Sequence, residues 1–194
     1  MNLLVRLAHG IDAVTDRIGR AASWLILATV LISTGNALAR YAFHVSSNAW
    51  LEIQWYLYAA VFLLCAGYAL KHNQHVRIDV ITGRLSPRAR AWIEIFGTLF
   101  FLLPMALLIL ALSWPVFVDS WRSGEVSASA HGLVLWPARL LVPAGFALLV
   151  LQGLAELIKR VAFLRGLIPD PAAKAEAGGE RELVQAILQA RKPQ

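Results

Sequence analysis

The chain has 194 residues, of which 58% are hydrophobic and 15% charged, and it carries a formal net charge of +6 at pH 7. Apolar residues in that proportion, set in long runs that do not alternate with polar faces, exclude an ordinary soluble domain. The basic surplus sits in clusters beside the runs, without interleaved aromatics, so it points to anionic lipid headgroups and away from nucleic acid.

In chain order, Leu4, Leu7, Ile11, Val14 and Ile18 recur at helical spacing with Arg6, Asp12, Asp16 and Arg17 between them. This predicts an amphipathic helix over residues 1–20, lying in the headgroup plane and anchoring the first span. Four uncharged stretches follow, Ala21–Ala39, Ile53–Leu70, Ile95–Val118 and Leu133–Ala155. Each approaches the ~20 residues that a helix needs to cross a bilayer. The expected fold is therefore all-α: an integral membrane four-helix protein, with residues 21–168 as the membrane domain. Arg17–Arg20, the first apolar run and Ala37-Leu38-Ala39 also have the outline of a signal peptide and its cleavage site. The run is longer than a usual signal core, so a retained first span is expected.

The first span closes on Asn36, Arg40, Tyr41 and Phe43, and a short link through Trp50 leads to Glu52. Ser47 or Asn48 is a candidate cap for the second helix, and Glu52 in its first turn suits the positive end of the helix dipole. Two readings of Arg40 stand side by side, a residue snorkelling to headgroups and an ion pair with Glu52. After Lys71-His72-Asn73-Gln74-His75-Val76-Arg77-Ile78-Asp79, Ser86 as cap and Pro87 at the first helical position start the third span. Pro104 and Pro115 predict a kink within it. The loop Asp119–His131 is polar and rich in small residues, and the fourth span ends in Glu156, Lys159 and Arg160. Residues 169–194 change to Ala, Gly, Glu and Lys and read as a flexible tail, with one marginal helix around Leu183–Leu188.

Eleven Lys and Arg, including Arg6, Arg17, Arg20, Lys71, Arg77, Lys159 and Arg160, flank one side of the spans; only Arg40, Arg122 and Arg139 flank the other. The positive-inside rule then places both termini in the cytoplasm. Trp24 and Trp92 fall at the inner boundary, and Trp50, Trp55, Trp114, Trp121 and Trp136 near the outer one, as indole belts do.

No charged side chain interrupts the four stretches, which argues against a stand-alone proton-coupled exporter. All five histidines lie outside the spans or at their edges, which argues against a haem-binding bundle. His72 and His75 are three apart, but no cysteine or acidic cluster stands beside them to complete a metal site. The single cysteine, Cys65, has no disulfide partner in the chain. With no nucleophile–base pair, paired carboxylates or glycine-rich phosphate loop, no catalysis, metal or cofactor is expected.

A set of motifs remains: Asn36-x3-Arg40-Tyr41-x-Phe43, then Ser47-x2-Trp50-x-Glu52, then His75-x-Arg77-x-Asp79 before Leu85-Ser86-Pro87-Arg88. Together with Trp114–Glu125 and Trp136–Arg139, they resemble the small membrane subunit of tripartite ATP-independent periplasmic (TRAP) transporters, over about Ile18 to Phe163. Many members carry two adjacent acidic residues at the start of the second span, whereas here Glu52 is followed by Ile53. The resemblance implies a three-part uptake system in a bacterial inner membrane. A periplasmic binding protein captures an organic acid, a large permease subunit moves it with sodium, and the small subunit braces the large one. It also implies that His75, Arg77 and Asp79 form an internal polar cluster or meet the large subunit. Candidate structural or partner-facing residues are Asn36, Arg40, Trp50, Glu52, His75, Arg77, Asp79, Asp119, Arg122 and Glu125. The loop Asp119–Gly132 is the expected contact for the periplasmic partner, and Gly35, Ala60, Gly67 and Gly97 are small-residue candidates for packing against the permease. Two alternatives stay open: a self-contained homo-oligomeric transporter or channel, and a structural subunit of another membrane complex.

Overall fold

The computed structural model describes residues 2–44, 47–72, 85–129 and 132–170. The helices are α1 (Asn2–Phe43), α2 (Asn48–Leu64), α3 (Ala66–Lys71), α4 (Pro87–Gly97), α5 (Leu103–Ser123) and α6 (Trp136–Leu164), with a five-residue π-helical segment at Thr98–Leu102. No strand occurs among the described residues; there is one isolated antiparallel bridge, Val126 to Val134. Four helical stretches are long and apolar enough to cross a membrane: Leu3–Phe43, Asn48–Lys71, Pro87–Ser123 and Trp136–Leu164.

The interior is built of small residues. Buried apolar side chains among the described residues are seven alanines, Leu103 and Pro143, while Phe62, Leu112, Phe101, Trp24 and Trp55 are 65–80% exposed. That is the reverse of a water-soluble core, and it suits a solvent of lipid chains, where helices associate through close backbone packing. Helix α6 is the centre: it packs against α1, α2, α3, α4, the π segment and α5. A Cβ on Gly145 would lie 2.8 Å from both Cβ and the carbonyl oxygen of Leu63, so α2 and α6 meet at a distance only glycine allows.

Local chemistry explains the ends and irregularities. Ser86 caps α4 by accepting from the Ala89 amide, with Pro87 behind it, as the sequence predicts. Ser47 holds the cap position of α2 in an extended conformation, but its hydroxyl makes no capping bond. The disturbance expected from Pro104 takes the form of the π segment directly before it. Proline cannot donate to the carbonyl four residues earlier, and a widened turn relieves the clash. Gly124, at φ 61°, supplies the left-handed residue that ends α5, and His44, at φ 54°, stands after α1.

Two expectations are revised. Residues 2–20 do not form a separate helix, because α1 runs unbroken for 42 residues, about 63 Å at 1.5 Å per residue and roughly twice the hydrocarbon thickness. Of the small-residue candidates, Ala60 and Gly67 are buried inside this chain, while a Cβ at Gly35 or Gly97 would meet nothing within 4 Å. The anticipated helix at Leu183–Leu188 lies outside the described residues.

Candidate functional site

Polar residues gather at the two ends of the bundle. At the end holding the start of α1, Asp12, Thr15 and Asp16 occupy one face of α1 at positions i, i+3 and i+4, and Gln152, Glu156 and Lys159 occupy one face of α6 at i, i+4 and i+7. The Lys159 ammonium lies 3.1 Å from both Asp12 oxygens and donates to Glu156 Oε1 at 2.6 Å. Gln152, fully buried, donates to Asp12 Oδ1 at 2.9 Å and to Glu156 Oε1 at 3.2 Å, and accepts from the Thr15 hydroxyl at 2.8 Å. Gly67 lies against the cluster: a Cβ there would make ordinary contacts of 3.5–3.7 Å with Leu148 O, Gln152 Cβ and Thr15 Cγ2.

A second tier extends from it. Lys71 at the end of α3 pairs with Asp16 and donates to the Asp12 carbonyl at 3.2 Å; His72 Nε2 lies 3.2 Å from Asp16 Oδ1 and its ring packs on Tyr68. Arg160 pairs with Glu94 of α4 and lies 3.4 Å from Asp170. Four helices are thus joined through charge-assisted bonds at one level.

At the opposite end, Glu52 is 4% exposed and fastens the loop between α5 and α6. Its Oε1 accepts from the Ser127 hydroxyl, and its Oε2 accepts from the Leu133 amide at 2.7 Å. One turn on, the Tyr56 hydroxyl donates to the Val134 carbonyl at 3.1 Å. The loop is closed on itself by Ser127 N–H to Leu133 O and Leu135 N–H to Glu125 O, both 2.9 Å. Arg139 grips Glu125 with two nitrogens, at 2.6 and 2.9 Å, and Trp136 meets Trp121 edge-on at 4.4 Å.

Of the sequence candidates, Glu52 and Glu125 are brought into these ties. Arg40 is exposed and does not meet Glu52, whose two oxygens face the loop instead. Asp119 and Arg122 are exposed on the last turns of α5, Trp50 is 51% exposed, and Asn36 is half-buried. His75, Arg77 and Asp79 lie outside the described residues. Sequence reasoning missed the network around Asp12. A helix in the headgroup plane would bury its leucines and turn its polar side outward, yet Asp12 and Thr15 turn into the bundle while Leu3, Leu4, Leu7 and Val14 are 47–69% exposed. The available signal was Gln152, a lone amide in an apolar span and in phase with Glu156 and Lys159; such a group needs an internal partner.

Chemically, the arrangement is a set of inter-helix fastenings. Among the described residues no group of three or more His, Cys, Asp or Glu side chains is placed to hold a metal ion. A family model described as "Tripartite ATP-independent periplasmic transporters, DctQ component" matches residues 29–163. No curated protein and no solved structure matches the chain.

Proposed function

This chain belongs to the DctQ component family of tripartite ATP-independent periplasmic transporters, and from that membership we propose that it braces the large sodium-coupled permease subunit for uptake of an organic acid. The acid is delivered by a periplasmic binding protein. The protein sits in the bacterial inner membrane with both termini in the cytoplasm, a placement supported by the excess of Lys and Arg at the end that holds the start of α1.

One observation carries the bracing role. Between the two tied ends, residues 21–39, 53–70, 95–118 and 140–151 contain no charged side chain, so the chain's polar chemistry serves to hold helices together. A subunit built this way offers a fixed wall, and the moving and ion-coupled parts belong to its partner. The exposed pair Asp119 and Arg122, next to a loop held rigid by Glu52, offers a surface for the binding protein.

Reconstitution tests the reading. Liposomes holding this chain with its large permease, supplied with the binding protein and a sodium gradient, accumulate the substrate, and liposomes holding this chain alone do not. Accumulation by the chain alone overturns the proposal. Unchanged uptake after Asp119→Ala and Arg122→Ala together removes the docking surface while leaving the brace intact.

A further inference from the structure

A cavity of about 480 Å³ lies beside the π-helical segment, between α3, α4, the start of α5 and α6. Its polar end shares Glu94, Glu156 and Arg160 with the ties described above, and its apolar wall lies outside them. One wall is apolar, formed by Phe101, Leu102 and Met105; the other end carries Glu94, Glu156 and Arg160. Phe101 and Met105 are 67% and 64% exposed, so the cavity opens on the surface that the spans turn outward. Its polar end lies at the level where charged residues begin on α4 and α6, and Trp92, 63% exposed on α4, marks the same zone.

We propose that this cavity binds a phospholipid bearing a primary ammonium headgroup, of the phosphatidylethanolamine class. The apolar wall takes the upper part of one acyl chain, and the Glu156 carboxylate takes the ammonium. Three charged side chains line the polar end, two acidic and one basic, and the basic one, Arg160, already faces Glu94 and Asp170. The lining cation, Arg160, is thus engaged by two carboxylates, so a headgroup with only negative charge finds no donor there, whereas a primary ammonium brings its own. Glu156 directs Oε1 to Gln152 and Lys159, and its Oε2 has no partner among the described residues. The π segment contributes Thr98, Phe101 and Leu102 to the lining, so the irregular turn forced by Pro104 also shapes the site. A size near 480 Å³ falls within the usual range of small-molecule sites and takes a headgroup and part of one chain, not a whole lipid. The inference needs the membrane placement but not the transporter role, so the two readings fail separately.

Gly97 provides the test. It lines the cavity, and a Cβ there meets nothing within 4 Å, so a side chain added at this position starts in open space at the cavity wall. The full-length chain is purified in a mild detergent, offered equal phosphatidylethanolamine and phosphatidylglycerol, and examined by native mass spectrometry, with helical content checked by circular dichroism. The expected result is retention of phosphatidylethanolamine over phosphatidylglycerol by roughly fivefold or more, abolished by Gly97→Phe and preserved by Gly97→Ala. If Gly97→Phe fails to fold, Gly97→Leu carries the same expectation. Equal retention of the two lipids by the unmodified chain overturns the proposal. So does a preference that survives the filling variants, including the case in which they keep the lipid but lose co-purification with a larger membrane subunit, which would assign the cavity to that partner.

Discussion

The two ends of the bundle are fastened by different chemistry. At the end holding the start of α1, charged and amide side chains from separate spans face one another, and Asp12, Gln152 and Lys159 are all buried. At the opposite end, Glu52 reaches a hydroxyl and a backbone amide of a loop, and the accompanying ion pair of Arg139 and Glu125 is one-third or more exposed. The first arrangement fixes the register of helices against each other; the second fixes a loop onto a helix. Losing one member should therefore affect the whole fold in the first case and a local segment in the second.

Lys159→Met gives the largest expected effect. It leaves Asp12 buried without its cation, and removing one partner of a buried pair costs about 3–5 kcal/mol. The midpoint of unfolding in a detergent-denaturation series should drop accordingly, and adding Asp12→Leu should restore part of it, because one of the two carboxylates stranded without Lys159 is removed while Glu156 stays. If the double variant is as weak as the single one, the pair is not what holds that end.

Glu52→Ala comes next, with a loss of about 1–3 kcal/mol from two donors left unpaired. Its signature is local: faster hydrogen exchange at the Leu133 amide and easier proteolysis in the loop, with a smaller shift of the global midpoint than Lys159→Met produces. An equal global shift would erase the proposed difference between the ends. Between them, Gly145→Ala should force α2 and α6 apart at Leu63 and cost about 1–3 kcal/mol, whereas Gly35→Ala, with open space around it, should be neutral or slightly stabilising. Paired unfolding curves in one detergent decide this. Arg139→Ala gives the smallest loss among the ties, below about 1 kcal/mol, since the pair is partly solvated; repeating the measurement in high salt should shrink it further.

Hydrophobicity made the spans legible in the sequence, because runs near ~20 apolar residues have few other uses. The Ser86-Pro87 helix start was legible for a similar reason: a hydroxyl acceptor followed by a residue without an amide hydrogen suits only that position. What escaped was the direction in which α1 faces. An amphipathic stripe says that two faces differ without saying which one meets the protein, and near a bilayer the leucines can turn outward to lipid while Asp12 and Thr15 turn inward. The partner of Glu52 was hidden for another reason. Leu133 offers it a backbone amide, and a main-chain donor leaves no trace in residue identity.

Seven buried alanines, and glycines at the helix contacts, have a consequence for how this chain changes over time. Hydrophobicity scales would score a swap of Ala155 for leucine as harmless, yet at such a seam there is no volume to receive three more carbons. On the outward faces Leu, Ile, Phe and Met are close to interchangeable, since fluid acyl tails accept any of their shapes. Divergence should therefore concentrate in the bulky residues and spare the smallest ones, the inverse of the pattern that a water-soluble protein records.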